Sequence, residues 1–259
     1  MAADVPPDQL SGFVEAVLLL SMRVAPTLSF AQPFTLLRLP PLIRVAMGLG
    51  LSLAMVSTFP TQTVDRLAGR NVLTIAAGEL LIGLTVALSL SLAFASILWA
   101  GRALDIQAGF GLATLADPTT SAQLPLAGTI LAYAGAAVFF ATGAQYDLVS
   151  LWAASIERLP MGYAAGRLDL AALAEHMGST FTLALGLIGV AVLVIFLMDL
   201  AIAFMSRTLP QMNVLLFGFQ VKAMAMLILL PVCLALAGGL YLRLFTLVWQ
   251  NVPRILGAG

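Results

Sequence analysis

The sequence predicts an all-α integral membrane protein with about six long, partly kinked helices. Of its 259 residues, 61% are hydrophobic and only 9% are charged, and the mean hydropathy is +1.04. About a quarter of the residues of a soluble domain are charged, so a chain this apolar would expose large adhesive patches in water. Six apolar stretches come close to or exceed the roughly 20 residues that a membrane-crossing helix needs. We therefore expect the chain to lie in a membrane, in contact with lipid.

The six predicted helical segments follow one another along the whole chain. They cover residues 10–28, 41–58, 71–99, 125–150, 180–205 and 212–249. The third would be roughly 43 Å long, more than the hydrocarbon core requires, so it must tilt or protrude. The sixth is too long for one straight span. Pro231 interrupts it and predicts a kink or a division into two shorter helices, because proline removes a backbone donor and clashes with the preceding turn.

Two longer connections separate these segments, at residues 100–124 and 151–179. The second contains His176, the only histidine, which we expect to be a loop residue. The first overlaps the stretch DIQAGFGLATLADPTTSAQLP, residues 105–125, which is rich in glycine and proline. Phe110 and Leu112 in that stretch are apolar, and a solvated loop has little use for them. The residues alone leave open whether this stretch is a connector or a working part.

Catalytic, metal and nucleic-acid sites find no support in the sequence. A single histidine provides no Ser–His–Asp set, and Cys233, the only cysteine, cannot form an intrachain disulfide. The run Gly109-Phe110-Gly111 lacks the third glycine and the preceding strand of a dinucleotide-binding fingerprint. The formal net charge is zero, so nothing indicates a nucleic-acid partner. We expect no enzyme activity and no cofactor.

Five charged residues stand inside apolar segments, where burial in lipid is costly. A charge at the centre of a bilayer costs at least roughly 2.5–3.5 kcal/mol. Three interpretations stay open: these side chains conduct ions or protons, they pair with each other or with neighbouring subunits, or their helices do not lie in lipid. The five residues are Glu15, Arg23, Glu79, Asp199 and Lys222.

The stretch RTLPQMNVLLFGFQVK, residues 207–222, predicts a tight polar hinge between the fifth and sixth segments. Pro210 favours an extended turn before it, and Asn213 can cap the helix that follows. Gly218 permits a close approach, and Lys222 lies one turn further on. A simple turn between two helices would need only a glycine or an asparagine, so this combination of residues is more specific than a turn requires.

The pattern R-x-x-P-Q-x-N-V-x-x-x-G-x-x-x-K in this hinge resembles the signature of the FliR family of flagellar type III export-gate proteins and of its injectisome homologue SctT. Two positions depart from the common family pattern: Gln145 stands where histidine is common, and Gln220 where proline is common. Four further stretches agree in order along nearly the whole chain: LLLSMRVAPTLSF, LPPLIRVAMGLGLSLAM, GELLIGLTVALSLSLAFASILWAGRALDIQAGFGLATLADP and ERLPMG.

The resemblance implies a fold and a set of partners. A FliP-like helical part, residues 1–179, would be followed by a FliQ-like helical hairpin and tail, residues 180–259. The chain would join FliP-like and FliQ-like subunits, dock an FlhB-like switch protein, and pass exported unfolded proteins. Its place would be the bacterial inner membrane, at the flagellar basal body or the base of a secretion system. A stand-alone permease for an ion or small solute remains the alternative.

The resemblance also implies roles for particular residues. The loop 105–125 would project inward and plug the pore, and the charges Glu79, Asp199 and Lys222 would lie between subunits or near an aqueous path. The plug residues would be Gly109, Phe110, Gly111, Leu112, Ala113, Asp117 and Pro118. The hinge and subunit interface would comprise Arg207, Pro210, Gln211, Asn213, Gly218 and Lys222.

Overall fold

The computed structural model describes residues 7–67, 71–110, 125–162, 168–208 and 214–257, which are almost entirely helical. Two short 3₁₀ turns, Pro60–Gln62 and Val64–Arg66, follow the second α-helix. The seven α-helices of these residues are α1 (Pro7–Phe30), α2 (Pro41–Thr58), α3 (Val72–Ala108), α4 (Leu126–Ala141), α5 (Ala144–Arg158), α6 (Leu170–Thr208) and α7 (Val214–Ile255).

Five of the described helices are long and apolar enough to cross a membrane: α1, α2, α3, α6 and α7. The pair α4 and α5 passes the same test only when taken together, and its two helices are bent by 69°. The described residues therefore contain five spans, or six if the bent pair counts as one. The predicted all-α integral membrane fold is confirmed.

The fourth predicted segment, 125–150, is wrong as a single helix. Helix α4 ends at Ala141 and α5 begins at Ala144, with Gly143 at a φ of 80° between them. Glycine has no Cβ and adopts this left-handed conformation readily, so it can end one helix and turn the chain into the next. The interruption is only two residues long, so hydropathy averaged over a window of roughly 19 residues does not reveal it.

The two predicted long connections are shorter than expected because the helices beside them extend further. Helix α3 continues to Ala108, and residues 151–158 belong to α5. His176 lies in α6 and is fully buried, so its assignment to a loop is wrong.

Helix α7 runs without interruption through Pro231, so the predicted division of this segment into two helices is also wrong. Proline inside a membrane helix is tolerated where neighbouring groups satisfy the freed backbone carbonyl.

The chain divides into two compact units, each with its own buried core. Unit 1 comprises Met1–Leu92, Phe139–Met177 and Phe245–Gly259, and unit 2 comprises Ala93–Val138 and Gly178–Leu244. Phe139 lies in the core of unit 1, with edge-to-face contacts to Phe34 and Phe245 at centroid distances of 6.1 and 5.3 Å. These units do not test the proposed FliP-like and FliQ-like parts, which stay a prediction.

In unit 2, α3 and α4 touch backbone to backbone at two glycines. A Cβ at Gly101 would overlap the Cα and N atoms of Gly128. A Cβ at Gly128 would stand 2.7 Å from the carbonyl oxygen of Leu98. Because both obstacles are backbone atoms, neither can move without shifting a whole helix. The crossing of α3 and α4 therefore depends on the absence of side chains at these two positions.

We expect Gly101→Ala to destabilise the protein by about 1–3 kcal/mol, the usual cost of overpacking a tight contact. The measurement is the thermal unfolding midpoint of the detergent-purified protein, followed by circular dichroism. Gly50→Ala in α2 is the matched control, because a Cβ there meets no atom within 4 Å. Alanine favours a helix over glycine by up to about 1 kcal/mol, so the control should be neutral or slightly stabilising. Equal midpoints for the two variants would contradict the close crossing.

Candidate functional site

The most deeply buried charges of unit 1 form a two-pronged ion pair between α1 and α3. Arg23 Nε donates to Glu79 Oε2 at 2.6 Å, and Arg23 Nη2 donates to Glu79 Oε1 at 2.9 Å. The two side chains are 1% and 2% exposed. This parallel geometry is the strongest form of an arginine–carboxylate contact. The pair therefore neutralises two charges, each of which would be costly to bury alone in lipid or in an apolar core.

The same ion pair holds the end of α5 and the turn after it. Arg23 Nη1 donates to Ser155 Oγ at 3.2 Å, and Nη2 also donates to the carbonyl oxygen of Leu159 at 2.9 Å. From the same turn, the backbone N–H of Gly162 donates to the Glu79 carboxylate. The guanidinium and the carboxylate thus each contact this turn, and the pair joins α1, α3 and α5.

Gly83 explains how α1 comes close enough to α3 for this pair to form. It lies one turn after Glu79, and residues four apart lie on the same face of a helix. A Cβ at Gly83 would stand 2.6 Å from the carbonyl oxygen of Arg23. A side chain there would push α1 away. Glu79 and Gly83 therefore act together, one as the ion-pair partner and the other as the gap that admits α1.

The remaining intramembrane charges differ in their surroundings. Lys222 Nζ lies 2.8 Å from Asp199 Oδ1 and joins α7 to α6, with the two side chains 19% and 50% exposed. Glu15 is half-buried and forms no ion pair with another described residue. Pairing within the chain thus holds for four of the five charges. Glu79, expected between subunits or near water, is instead buried inside unit 1.

The hinge residues are only partly described. Arg207 lies exposed in the last turn of α6, and Pro210, Gln211 and Asn213 lie outside the described residues. Helix α7 begins at Val214, the position that a cap at Asn213 would require. A Cβ at Gly218 would stand 3.3 Å from Ile202 on α6, so the predicted close approach does occur there.

The proposed plug is described only at its first two residues. Gly111, Leu112, Ala113, Asp117 and Pro118 lie outside the described residues.

Gly109 has a φ of 91° and ends α3. Its N–H donates to the carbonyl oxygen of Ile106 at 3.1 Å, and the N–H of Phe110 donates to that of Asp105 at 2.9 Å. This pair of bonds is the Schellman motif, which favours glycine at the left-handed position. The segment after Ala108 therefore starts from a defined turn.

Sequence reasoning missed two buried polar residues. Asp105 is 6% exposed, and both its carboxylate oxygens lie 3.2 Å from the backbone nitrogen of Ala127. His176 Nε2 lies 3.0 Å from the carbonyl oxygen of Ser89, and its Nδ1 lies 3.3 Å from Asn251 Nδ2. Because a carbonyl only accepts, Nε2 carries the proton and Nδ1 accepts from Asn251. The acidic start of the stretch 105–125 was a signal for Asp105, whereas no local pattern indicates His176.

Comparison with known proteins identifies the family. The sequence model of "Bacterial export proteins, family 1" matches residues 14–248 of this chain. The chain belongs to this family. The family membership that five sequence stretches indicated is thereby confirmed.

Several bacterial export proteins are similar to this chain over most of their length. The flagellar biosynthetic protein FliR of Bacillus subtilis is 26% identical over 250 residues, which cover 93% of this chain and 94% of that protein. FliR of Escherichia coli is 22% identical over 239 residues, 90% and 91% of the two chains. The secretion system apparatus protein SsaT of Salmonella typhimurium is 24% identical over 222 residues, 80% and 85%.

In this bacterial export protein, we expect Glu79→Leu or Arg23→Met alone to cost about 3–5 kcal/mol, because each leaves one charge buried without its partner. The double variant should recover most of that loss, since it buries no charge. The thermal unfolding midpoint in detergent measures all three.

Asp199→Leu provides the control, because it breaks an ion pair that is partly exposed and should cost at most about 1 kcal/mol. If the double variant lost as much stability as the sum of the two single variants, the two charges would not be coupled and the buried pair would be wrong.

Proposed function

We propose that this chain is the FliR-type core subunit of a type III export gate. At the coarser level, it is a component of a bacterial type III export apparatus and lies in the inner membrane, at the base of a flagellum or secretion system. The observation that carries the proposal is the family match over residues 14–248, in a chain whose described residues include five helices, or six with the bent pair, that are long and apolar enough to cross a membrane.

As a gate subunit, the chain assembles with FliP-like and FliQ-like subunits and docks an FlhB-like switch protein. Exported unfolded proteins pass through the channel that these subunits form. The chain contributes the wall and assembly surfaces of the channel and performs no chemical reaction.

The outer surfaces of α6 and α7 support a role in assembly. Asp199 is half exposed among apolar neighbours such as Phe196 and Leu200, which are 60% and 47% exposed. A carboxylate exposed to lipid is costly even beside Lys222, whereas a neighbouring protein helix can supply polar contacts. This surface therefore suits a partner subunit better than lipid.

The loop 105–125 closes the channel in this proposal. A seal in a protein-lined pore must exclude water, so it needs small and apolar side chains such as Leu112 and Ala113. The turn at Gly109 supports this role, because it gives the segment a defined starting point.

Deletion of residues 110–117 should leave assembly intact and make the closed gate leak ions or small molecules, because the seal is lost. Assembly is measured by co-purification with the FliP-like and FliQ-like subunits, and leakage by dye uptake into membrane vesicles. An eight-residue Gly-Ser replacement keeps the chain length and should leak as well. A deletion variant as tight as the unaltered protein would overturn the plug.

Arg207→Ala and Lys222→Ala should each reduce co-purification with the partner subunits several-fold, because each removes a charged group from the hinge surface. Arg243→Ala is the matched control, since Arg243 is an exposed arginine in α7 outside the hinge. Normal co-purification of both hinge variants would count against the interface. A chain that transported a solute without its partners would instead favour the permease.

A further inference from the structure

A buried carboxylate joins the end of α3 to the start of α4, on either side of the segment 109–125. Both oxygens of Asp105 accept from the backbone N–H of Ala127, and the N–H of Leu126 also donates to this carboxylate. The first N–H groups of a helix have no partner within the helix, and a cap usually comes from the residue just before it. Here the cap lies 22 residues earlier in the chain. The capping contact of α4 is therefore also the contact that closes the loop.

The crossing of α3 and α4 brings this carboxylate into reach. Gly101 lies one turn before Asp105 on the same face of α3, and its backbone touches that of Gly128 in α4. The contact at the two glycines and the cap at Asp105 are thus neighbouring points of one junction. The two ends of the segment 109–125 are held at a fixed separation by the junction.

Phe219 of α7 lies against the first turn of the same segment. A Cβ at Gly109 would stand 2.6 Å from Phe219 Cδ2 and 2.9 Å from Cε2, so the ring rests directly on the glycine backbone. Phe219 belongs to the hinge stretch 207–222, and the adjacent Gly218 faces Ile202 of α6. Two stretches that the sequence presents separately, the hinge and the loop, therefore meet at Gly109.

We propose that Asp105 and Phe219 are positioning residues that clamp the base of the segment 109–125. Asp105 holds the two ends of the segment together, and Phe219 holds its first turn against α7. The inference rests on the proposed function, because the clamped segment is the proposed plug. Beyond the proposed function, it states that Phe219, near the start of α7, determines the position of the first turn of the segment.

The clamp can be tested by cysteine labelling in the assembled, detergent-purified complex. Cys233 is the only cysteine of this chain, so Cys233→Ala removes the chain's own thiol and Phe110→Cys places a single reporter just after Gly109, with labelling read on this chain after the subunits are separated by gel electrophoresis. The rate of reaction with a soluble maleimide measures how often this turn opens. Asp105→Ala and Phe219→Ala should each raise the rate by about tenfold, as expected when a local opening equilibrium loses one stabilising contact.

Matched variants separate the clamp from a general loss of stability. Asp105→Asn keeps a capping oxygen and should label at nearly the original rate, since asparagine caps helices as well as aspartate does. Gln107→Ala and Phe217→Ala alter exposed residues two positions from Asp105 and Phe219, and they should change nothing. If Asp105→Ala fails to assemble, Phe219→Leu decides, because the smaller side chain should still raise the rate.

Leakage, measured in vesicles with Phe110 in place, separates the clamp from the plug. Faster labelling together with leakage supports both proposals. Faster labelling without leakage supports the clamp and overturns the plug. If Phe219→Ala and Phe219→Leu assemble and label at the original rate, the clamp is wrong, whether or not the membrane leaks.

Discussion

The ion pair between Arg23 and Glu79 is the interaction on which the arrangement of unit 1 depends. Burying either charge alone would cost far more than a typical contact returns, so the pair is tolerable only when both partners are present and neighbouring groups supply further hydrogen bonds. That condition is met by three parts of the chain at once: α1 supplies the guanidinium, α3 the carboxylate, and the end of α5 and its following turn the remaining donors and acceptors. Gly83 makes the approach possible by having no side chain.

Two other buried polar groups, Tyr241 and His176, follow the same physical rule with neutral partners. In unit 2, Tyr241 donates its hydroxyl hydrogen to the carbonyl oxygen of Leu131 at 2.8 Å. In unit 1, His176 donates to the carbonyl oxygen of Ser89. A carbonyl inside a helix already accepts one bond and has a second lone pair free, so it can tie a neighbouring helix without breaking its own. In an apolar surrounding, where no water competes, such single bonds fix which faces of the helices meet.

Two of the ion pairs among the described residues have different roles. The pair of Arg23 and Glu79 is closed inside the chain and contributes to its folding, whereas the pair of Lys222 and Asp199 lies partly open on the surface of α6 and α7. A charge that remains half exposed on an apolar helix is a poor match for lipid, which is why we assign that surface to assembly with partner subunits. The proposed clamp combines both situations, since Asp105 is buried and Phe219 is partly exposed.

The amino-acid pattern alone predicts the membrane class, five of the six spans and the family, because hydropathy, length and motif spacing are local properties of the chain. It also singled out Arg23 and Glu79 as charges in need of an explanation. Their pairing joins residues 56 positions apart and follows only from the packing of the helices, as does the cap that Asp105 provides for α4. The sequence likewise did not predict the break at Gly143 or the burial of His176. The burial of His176, like the ion pair and the cap, depends on which helices face one another, and that arrangement follows from backbone approach at glycines and from pairing of buried polar groups between helices.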